Sequence, residues 1–285
     1  MKLSKDKHIL IVGLGLIGGS YAEGLTKKGY IVGAITDKQE DIDYALDKGI
    51  ISSGKVFLDK DYISSFDVVI FALYPHIFLS WIQEHQELLK SGALLTDVTG
   101  VKQEIVYKVQ DLLRDDLTFV GAHPMAGREV YGIKNADCNI FKGANYIVTP
   151  TDKNKEADIE LVEDIGRALE FKNISRLSPE KHDEMIGFLS QLTHCIAVAL
   201  MNCKESKELY EYTGDSFRDL TRIAKINEDM WTELFLLNKE ELISQIDLFI
   251  ASIKDLREAL FIEDVEKMKE MMRLSTERRK YFDKK

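Results

Sequence analysis

At 285 residues, 45% of them hydrophobic, the chain is long enough for two packed domains and too apolar to be disordered. A net charge of −10 without any basic block argues against nucleic acid as a partner, and any anion site must gather its own local cations. Three cysteines (Cys138, Cys195 and Cys203) without a CxxC pair fit a reducing, cytoplasmic setting; MKLSKDKHILIVG is too briefly apolar for a signal peptide, and no stretch is expected to approach the ~18 apolar residues that cross a membrane.

In chain order, HILIV (8–12) reads as a buried parallel strand, followed by the glycine-rich turn GLGLIGG (13–19) and a helix over 18–29 ending at Gly29. YIVGAIT (30–36), Asp67–Leu73, ALLTDV (93–98), TFVGA (118–122) and NYIVT (145–149) are further strands, with helical patterns at 76–90 and 101–114 between them. Residues 151–174 read as a last helix and strand of this half. After about residue 178 the pattern becomes helical: 179–203, 205–225, 228–260 with a break near Asn238, and 262–282. Short apolar strands alternating with amphipathic helices imply a Rossmann-type α/β fold, a doubly wound parallel sheet over 1–175, and an all-α half over 176–285.

Gly13, Gly15 and Gly18 fill the three glycine positions of GxGxxG directly after the first strand. The first permits a tight turn, the second lets a pyrophosphate approach the backbone, and the third lets helix and strand pack. With Leu16 and Ile17 they form a dinucleotide seat at a helix N-terminus. Asp37, 19 residues after Gly18, stands near the position of an acid that bonds ribose hydroxyls and so favours NAD. Thr36 with Lys38 nearby would tolerate NADP, and Asp37 could instead simply open the next helix; NAD is the favoured reading of the three.

His123 precedes Pro124 in GAHPMAG, at the end of what is read as a later strand of the same sheet. An imidazole there can take a proton from an alcohol as hydride leaves, or it can be a structural histidine bonded to backbone. On the helix that opens with Ser178 and Pro179, the residues Asp183, Gly187, Ser190 and His194 share a polar face at 100° per residue. That stripe either lines a site or is solvated, and His182 lies off it as a brace of the helix start. Arg218 and Arg222, spaced i, i+4, suit capture of a carboxylate; their alternative is salt bridging to Asp215 or Asp219. No histidine, cysteine or acid cluster has metal-ligand spacing.

Taken together and in order, GLGLIGGS, DVTGVK (97–102), GAHPMAG, SPEKHD (178–183), LSQLTH (189–194), FRDLTRIA (217–224) and MW (230–231) resemble the prephenate/arogenate dehydrogenase family. The resemblance implies a Rossmann domain joined to an all-helical dimerisation domain, a homodimer, and an active site between the two domains. It implies NAD-dependent oxidative decarboxylation of prephenate, or of arogenate, within tyrosine biosynthesis, and too little chain after about residue 260 for a regulatory domain. By the same resemblance His123 polarises the ring hydroxyl, His194 lines the pocket, Arg222 anchors a substrate carboxylate, and Arg218 reaches toward a neighbouring subunit. Many members read DxGSxK where this chain has Gly100 at the serine position, so Thr99 or a water is expected to replace that hydroxyl. Two other readings are weighed: a β-hydroxyacid dehydrogenase, whose lysine would be sought near Lys181, and a dinucleotide-sensing protein without turnover. The second would have no use for His123 together with the arginine pair.

Overall fold

Strand β1 (His8–Val12) sends Ile9 and Ile11 to one face and Leu10 and Val12 to the other, and all four are buried. A strand apolar on both faces must be covered on both. The structure, a computed structural model, describes residues 3–205 and 207–283. After β1 come α1 (Leu16–Lys27), β2 (Ile31–Ile35), α2 (Gln39–Asp47), β3 (Ser53–Lys55), α3 (Lys60–Ile63), β4 (Val68–Phe71), α4 (Pro75–His85), β5 (Leu94–Asp97), α5 (Gln103–Leu112) and β6 (Thr118–Phe119). The strands form a six-stranded sheet in the order β3-β2-β1-β4-β5-β6, parallel throughout. On one face Ile9, Ile11, Val68 and Ile70 pack with Tyr21, Ala22 and Leu25 of α1. On the other, Leu10, Val12, Val69 and Phe71 meet Phe78 and Trp81 of α4 and Ile105, Val106 and Val109 of α5. Strand order reverses between β1 and β4, and the crevice beyond their carboxyl ends is where such sheets bind ligands.

The run TFVGAHP does not make one strand. It breaks at Val120 into β6 and β7 (Gly121–Pro124), and β7 leaves the parallel sheet. With β8 (Asn145–Thr149) and β9 (Asn173–Arg176) it forms a second, three-stranded sheet, in which β7 is antiparallel and β9 parallel to β8. Helix α6 (Glu156–Ala168) covers this sheet with Ile159, Val162 and Ile165. The expectation that His123 ends a strand of the main sheet is therefore corrected. The Asp97 carboxylate at the end of β5 accepts the Ala122 N–H at 3.1 Å, so the second sheet still sits against the first.

The helical half starts at α7 (Pro179–Ile186), with Pro179 in the first turn and the Ser178 hydroxyl accepting the Lys181 N–H at 3.2 Å, the cap that the sequence predicts. A π-turn over Gly187–Gln191 joins α7 to α8 (Leu192–Asn202) as one continuous helix. By length and composition this helix, Pro179–Asn202, could cross a membrane, which corrects the expectation that no stretch approaches that size. Here it carries His182, Asp183 and Gln191 buried inside the fold. The helix expected over 205–225 is mostly absent, and Ser206 within it lies outside the described residues. Its first part is rich in charge with no apolar stripe, and Gly214 is extended, so among the described residues a 3-10 turn at Tyr210–Tyr212 and then α9 (Asp215–Thr221) form before a second 3-10 turn at Arg222–Ala224. Helices α10 (Glu228–Leu237), α11 (Lys239–Phe261) and α12 (Val265–Arg279) complete the chain. The expected break falls at Asn238, whose buried amide donates to the Asp183 carbonyl at 3.0 Å and to Gln191 Oε1 at 2.7 Å.

Candidate active site

A cleft of about 730 Å³ opens between the β1/β4 crevice and the helical half. Gly15–Gly18 and Ala72–Pro75 line its sheet side, Thr99, Gly100 and His123 its floor, and Ser190, His194, Arg222 and Trp231 its helical wall. The glycines divide by what surrounds them. A Cβ on Gly13, at φ +98°, would lie 2.5 Å from the Ala72 carbonyl oxygen, and one on Gly18 only 1.9 Å from that of Gly13. A Cβ on Gly15 would meet nothing within 4 Å. Gly13 and Gly18 therefore serve the turn itself, while Gly15 leaves open space in front of the α1 N-terminus. Among the described residues no side chain caps that terminus. Unfilled N–H donors beside open space fit a pyrophosphate. Asp37 is exposed just past the end of β2 and accepts the Thr36 hydroxyl at 3.3 Å, outside the cleft wall.

His123 reaches the cleft floor from β7. Its Nδ1 lies 2.9 Å from Nε2 of His182 on α7, and His182 Nδ1 lies 2.6 Å from Asp183 Oδ1. Asp183 also accepts the backbone N–H groups of Lys102 and Gln103 at 2.8 Å each, at the start of α5. Burial, with His182 and the Lys102 ammonium nearby, holds the proton affinity of His123 well below that of an ordinary imidazole. Burial and Lys102 lower His182 likewise. Burial raises the Asp183 carboxyl to about 6, against the pull of its backbone donors.

Lys102 is fully buried, with its Nζ 2.6 Å from Asp97 Oδ2 and 3.0 Å from Thr99 Oγ1. The Thr99 hydroxyl donates toward Asp97 and the Val101 carbonyl. It has a single proton, and that proton is engaged away from His123, so the expectation that Thr99 stands in for the missing serine gains no support from this geometry. A Cβ at Gly100 would lie 3.9 Å from His123 Cε1, so the serine position does face the histidine and here holds no side chain.

On the helical wall, half-buried His194 hydrogen-bonds the Ser190 carbonyl through Nδ1 at 2.9 Å and lies against the Trp231 ring, centroids 3.7 Å apart. Its Nε2 is left for the cleft, and burial lowers its proton affinity. Arg222 caps α9 rather than continuing it, and its guanidinium pairs with Glu129 at 2.5 Å at the cleft mouth. Arg218 is paired with Asp215 at 2.7 Å and stands outside the cleft wall of its own chain. The two arginines therefore do not converge.

Sequence reasoning took His182 only as a brace of the helix start and gave Lys102 and Glu129 no role. The available signal was an adjacent His-Asp pair near the start of a long helix, where burial forces each polar group to find a partner. It also overlooked one group with metal-ligand spacing that only the fold assembles. Ligand atoms of Glu23, Asp137 and Cys138 lie within 4.8 Å of one another. Lys27 and Arg128 already pair with the two acids.

Residues 21–173 match the family profile "Prephenate dehydrogenase, nucleotide-binding domain", and residues 178–274 match "Prephenate dehydrogenase, dimerization domain". The prephenate dehydrogenase of Bacillus subtilis is 30% identical over 279 residues, 94% of this chain and 74% of that protein. That of Lactococcus lactis is 36% identical over 253 residues, 85% of this chain and 68% of that protein. The crystal structure of prephenate dehydrogenase from Aquifex aeolicus, in complex with hydroxyphenyl propionate and NAD+, superposes with a TM-score of 0.90 at 31% identity, covering 99% of this chain and all of that one. With both halves of the fold, the cleft between them and these likenesses in agreement, the chain belongs to the prephenate dehydrogenase family.

Proposed function

We propose that the protein catalyses NAD-dependent oxidative decarboxylation of prephenate to 4-hydroxyphenylpyruvate in tyrosine biosynthesis. The observation that carries this reading is His123 on the floor of a cleft with an open dinucleotide seat on one side and Arg222 on the other. Bound dinucleotide supplies the hydride acceptor. His123 Nε2 accepts the proton of the ring hydroxyl while hydride leaves the carbon that bears it. The ring carboxylate departs as CO2, its bonding electrons aromatise the ring, and the step becomes effectively irreversible. Arg222 anchors a substrate carboxylate, exchanging Glu129 for it, and His194 lines the ring pocket. Gly15, Leu16 and Ile17 would face the pyrophosphate, with Gly13 and Gly18 shaping the turn that presents them, and Asp37 would take the ribose and favour NAD over NADP.

Residues 1–175 then serve as the dinucleotide domain and 176–285 as the substrate and dimer-forming domain of a cytoplasmic homodimer. The apolar helix Pro179–Asn202 supports the dimer: only 28% of its most apolar stretch is buried within one chain, and Phe188 and Leu189 are about half exposed. Arg218, which does not line its own cleft, is the cation that reaches the neighbouring subunit in that assembly. The test is absorbance of reduced nicotinamide with prephenate or arogenate and NAD or NADP, in all four pairings. Signal with prephenate and NAD is expected. Silence in every pairing, with dinucleotide demonstrably bound, would overturn the reading.

A further inference from the structure

His123, His182 and Asp183 form an unbroken chain of hydrogen bonds that passes from the small sheet into the helical half. We propose that His182 and Asp183 are positioning residues that fix His123 in the tautomer protonated on Nδ1, leaving Nε2 bare toward the cleft. The role deepens the proposed reaction and rests on it.

The argument starts at the closed end of the chain. Asp183 faces three donors: the N–H groups of Lys102 and Gln103, and the His182 ring. An ionised carboxylate can only accept, so the His182 proton must sit on Nδ1. The Nε2 of His182 is then an acceptor, and the facing Nδ1 of His123 must donate to it. Each assignment forces the next, and the last leaves Nε2 of His123 without a proton. Neither His182 nor Asp183 is exposed beyond 1%, so water does not substitute for either link.

The charges around the chain favour this arrangement over its reverse. Lys102 at the start of α5 faces both histidines and Asp183, with Asp97 of β5 behind it, and Glu180 lies one turn earlier on α7. The Lys102 ammonium stabilises an ionised Asp183 and opposes a proton on either ring, which keeps His123 neutral until substrate delivers one. When it does, the proton goes to Nε2, and the imidazolium so formed keeps its bond to His182, itself held by the Asp183 carboxylate.

The test combines nitrogen-15 imidazole shifts of His123 with steady-state kinetics and pH profiles for the full chain, His182→Phe, His182→Gln and Asp183→Asn. The unaltered protein should show His123 protonated on Nδ1. His182→Phe removes the acceptor and should shift His123 toward the Nε2–H form, lowering kcat roughly 100-fold while the KM for prephenate stays within about threefold. His182→Gln, whose amide oxygen can accept the same proton, should recover most of that loss and restore the shift pattern. Asp183→Asn should displace the acid limb of kcat/KM; where it fails to fold, the two His182 variants decide. An Nε2–H tautomer in the unaltered protein would overturn the proposal, as would full kcat in a folded His182→Phe variant. The shifts are read without turnover, so an inactive protein with His123 on Nδ1 would overturn the reaction and not the positioning role.

Discussion

The ammonium of Lys102 and the carboxylate of Asp97 lie 2.6 Å apart, and neither side chain is exposed at all. Two charges taken out of water in this way remain compatible with folding because each answers the other and Asp97 also accepts the Ala122 and Thr99 N–H groups. Replacing Lys102 with Met leaves the carboxylate buried and unanswered. The expected cost is about 3–5 kcal/mol of folding stability, read from urea unfolding. A loss below about 1 kcal/mol would mean that the pair is not buried as described.

Kinetics should separate the two walls of the cleft. His123→Asn removes the proton acceptor and should lower kcat by about 10²–10⁴-fold with little change in the KM for prephenate. Arg222→Ala removes a charged hydrogen-bond partner and should raise that KM roughly 10- to 100-fold, a loss of about 1.5–3 kcal/mol, while the dinucleotide KM holds. Arg222→Lys should recover only part, since an ammonium lacks the planar fork. A normal KM in Arg222→Ala would remove Arg222 from substrate binding.

Gly15 and Gly18 are both glycines of one motif, yet their substitutions should fail for different reasons. Gly15 has φ −80°, which any residue can adopt, and open space where its Cβ would point. Gly15→Val should therefore fold with a nearly unchanged melting temperature and lose dinucleotide affinity, measured by calorimetric titration. A Cβ at Gly18 would collide with the Gly13 carbonyl, so Gly18→Ala should destabilise the domain whether or not dinucleotide is present. Equal dinucleotide affinity in Gly15→Val would place the pyrophosphate elsewhere.

The buried triad also makes stability depend on pH. His123 and His182 are held below the ordinary 6.5, so on acidification the unfolded chain binds protons that the folded chain refuses. The stability they contribute is present above 6.5 and is lost as pH falls toward their folded values. Asp183 acts in the opposite sense. Raised from 3.8 to about 6, it takes up a proton in the folded state first, and so offsets part of that loss between those values. Two groups outweigh one, so urea unfolding at about pH 5 should give a lower stability than at about pH 8, with a shallower dependence in His182→Gln. Turnover should fall through the same range, because a protonated Asp183 donates to His182 and reverses both ring bonds. A stability that rises steadily toward acid would contradict neutral buried histidines.

What could be read from the sequence was local. Alternation in HILIV set Ile9 and Ile11 against Leu10 and Val12, and the glycine turn, the Ser178 cap and the Asn238 break each depend on residues within one or two turns of chain. The failures share a different cause. TFVGAHP reads as one continuous strand-like run, so nothing in it marks Val120 as the point where the chain leaves one sheet for another. Arg218 and Arg222 have the spacing of a helical pair, but α9 ends between them and sends them apart. His123 and His182 are 59 residues apart and touch only because α7 packs against α5 and β8, the neighbour of β7, a contact no periodicity encodes.

The π-turn at Gly187–Gln191 gives the helix Pro179–Asn202 one wider coil, in which the Leu192 N–H reaches back to the Gly187 carbonyl. Such a coil holds an additional residue without lengthening the axis by a full step, and so it resets the angular phase of everything after it by roughly 100°. His182 on one side of it meets His123 behind the cleft floor, and His194 on the other side meets Trp231 on the cleft wall. The number of residues between these two histidines is thus a structural dimension in its own right. Removing one residue from the wide coil would rotate His194 out of the cleft while leaving His182 where it is.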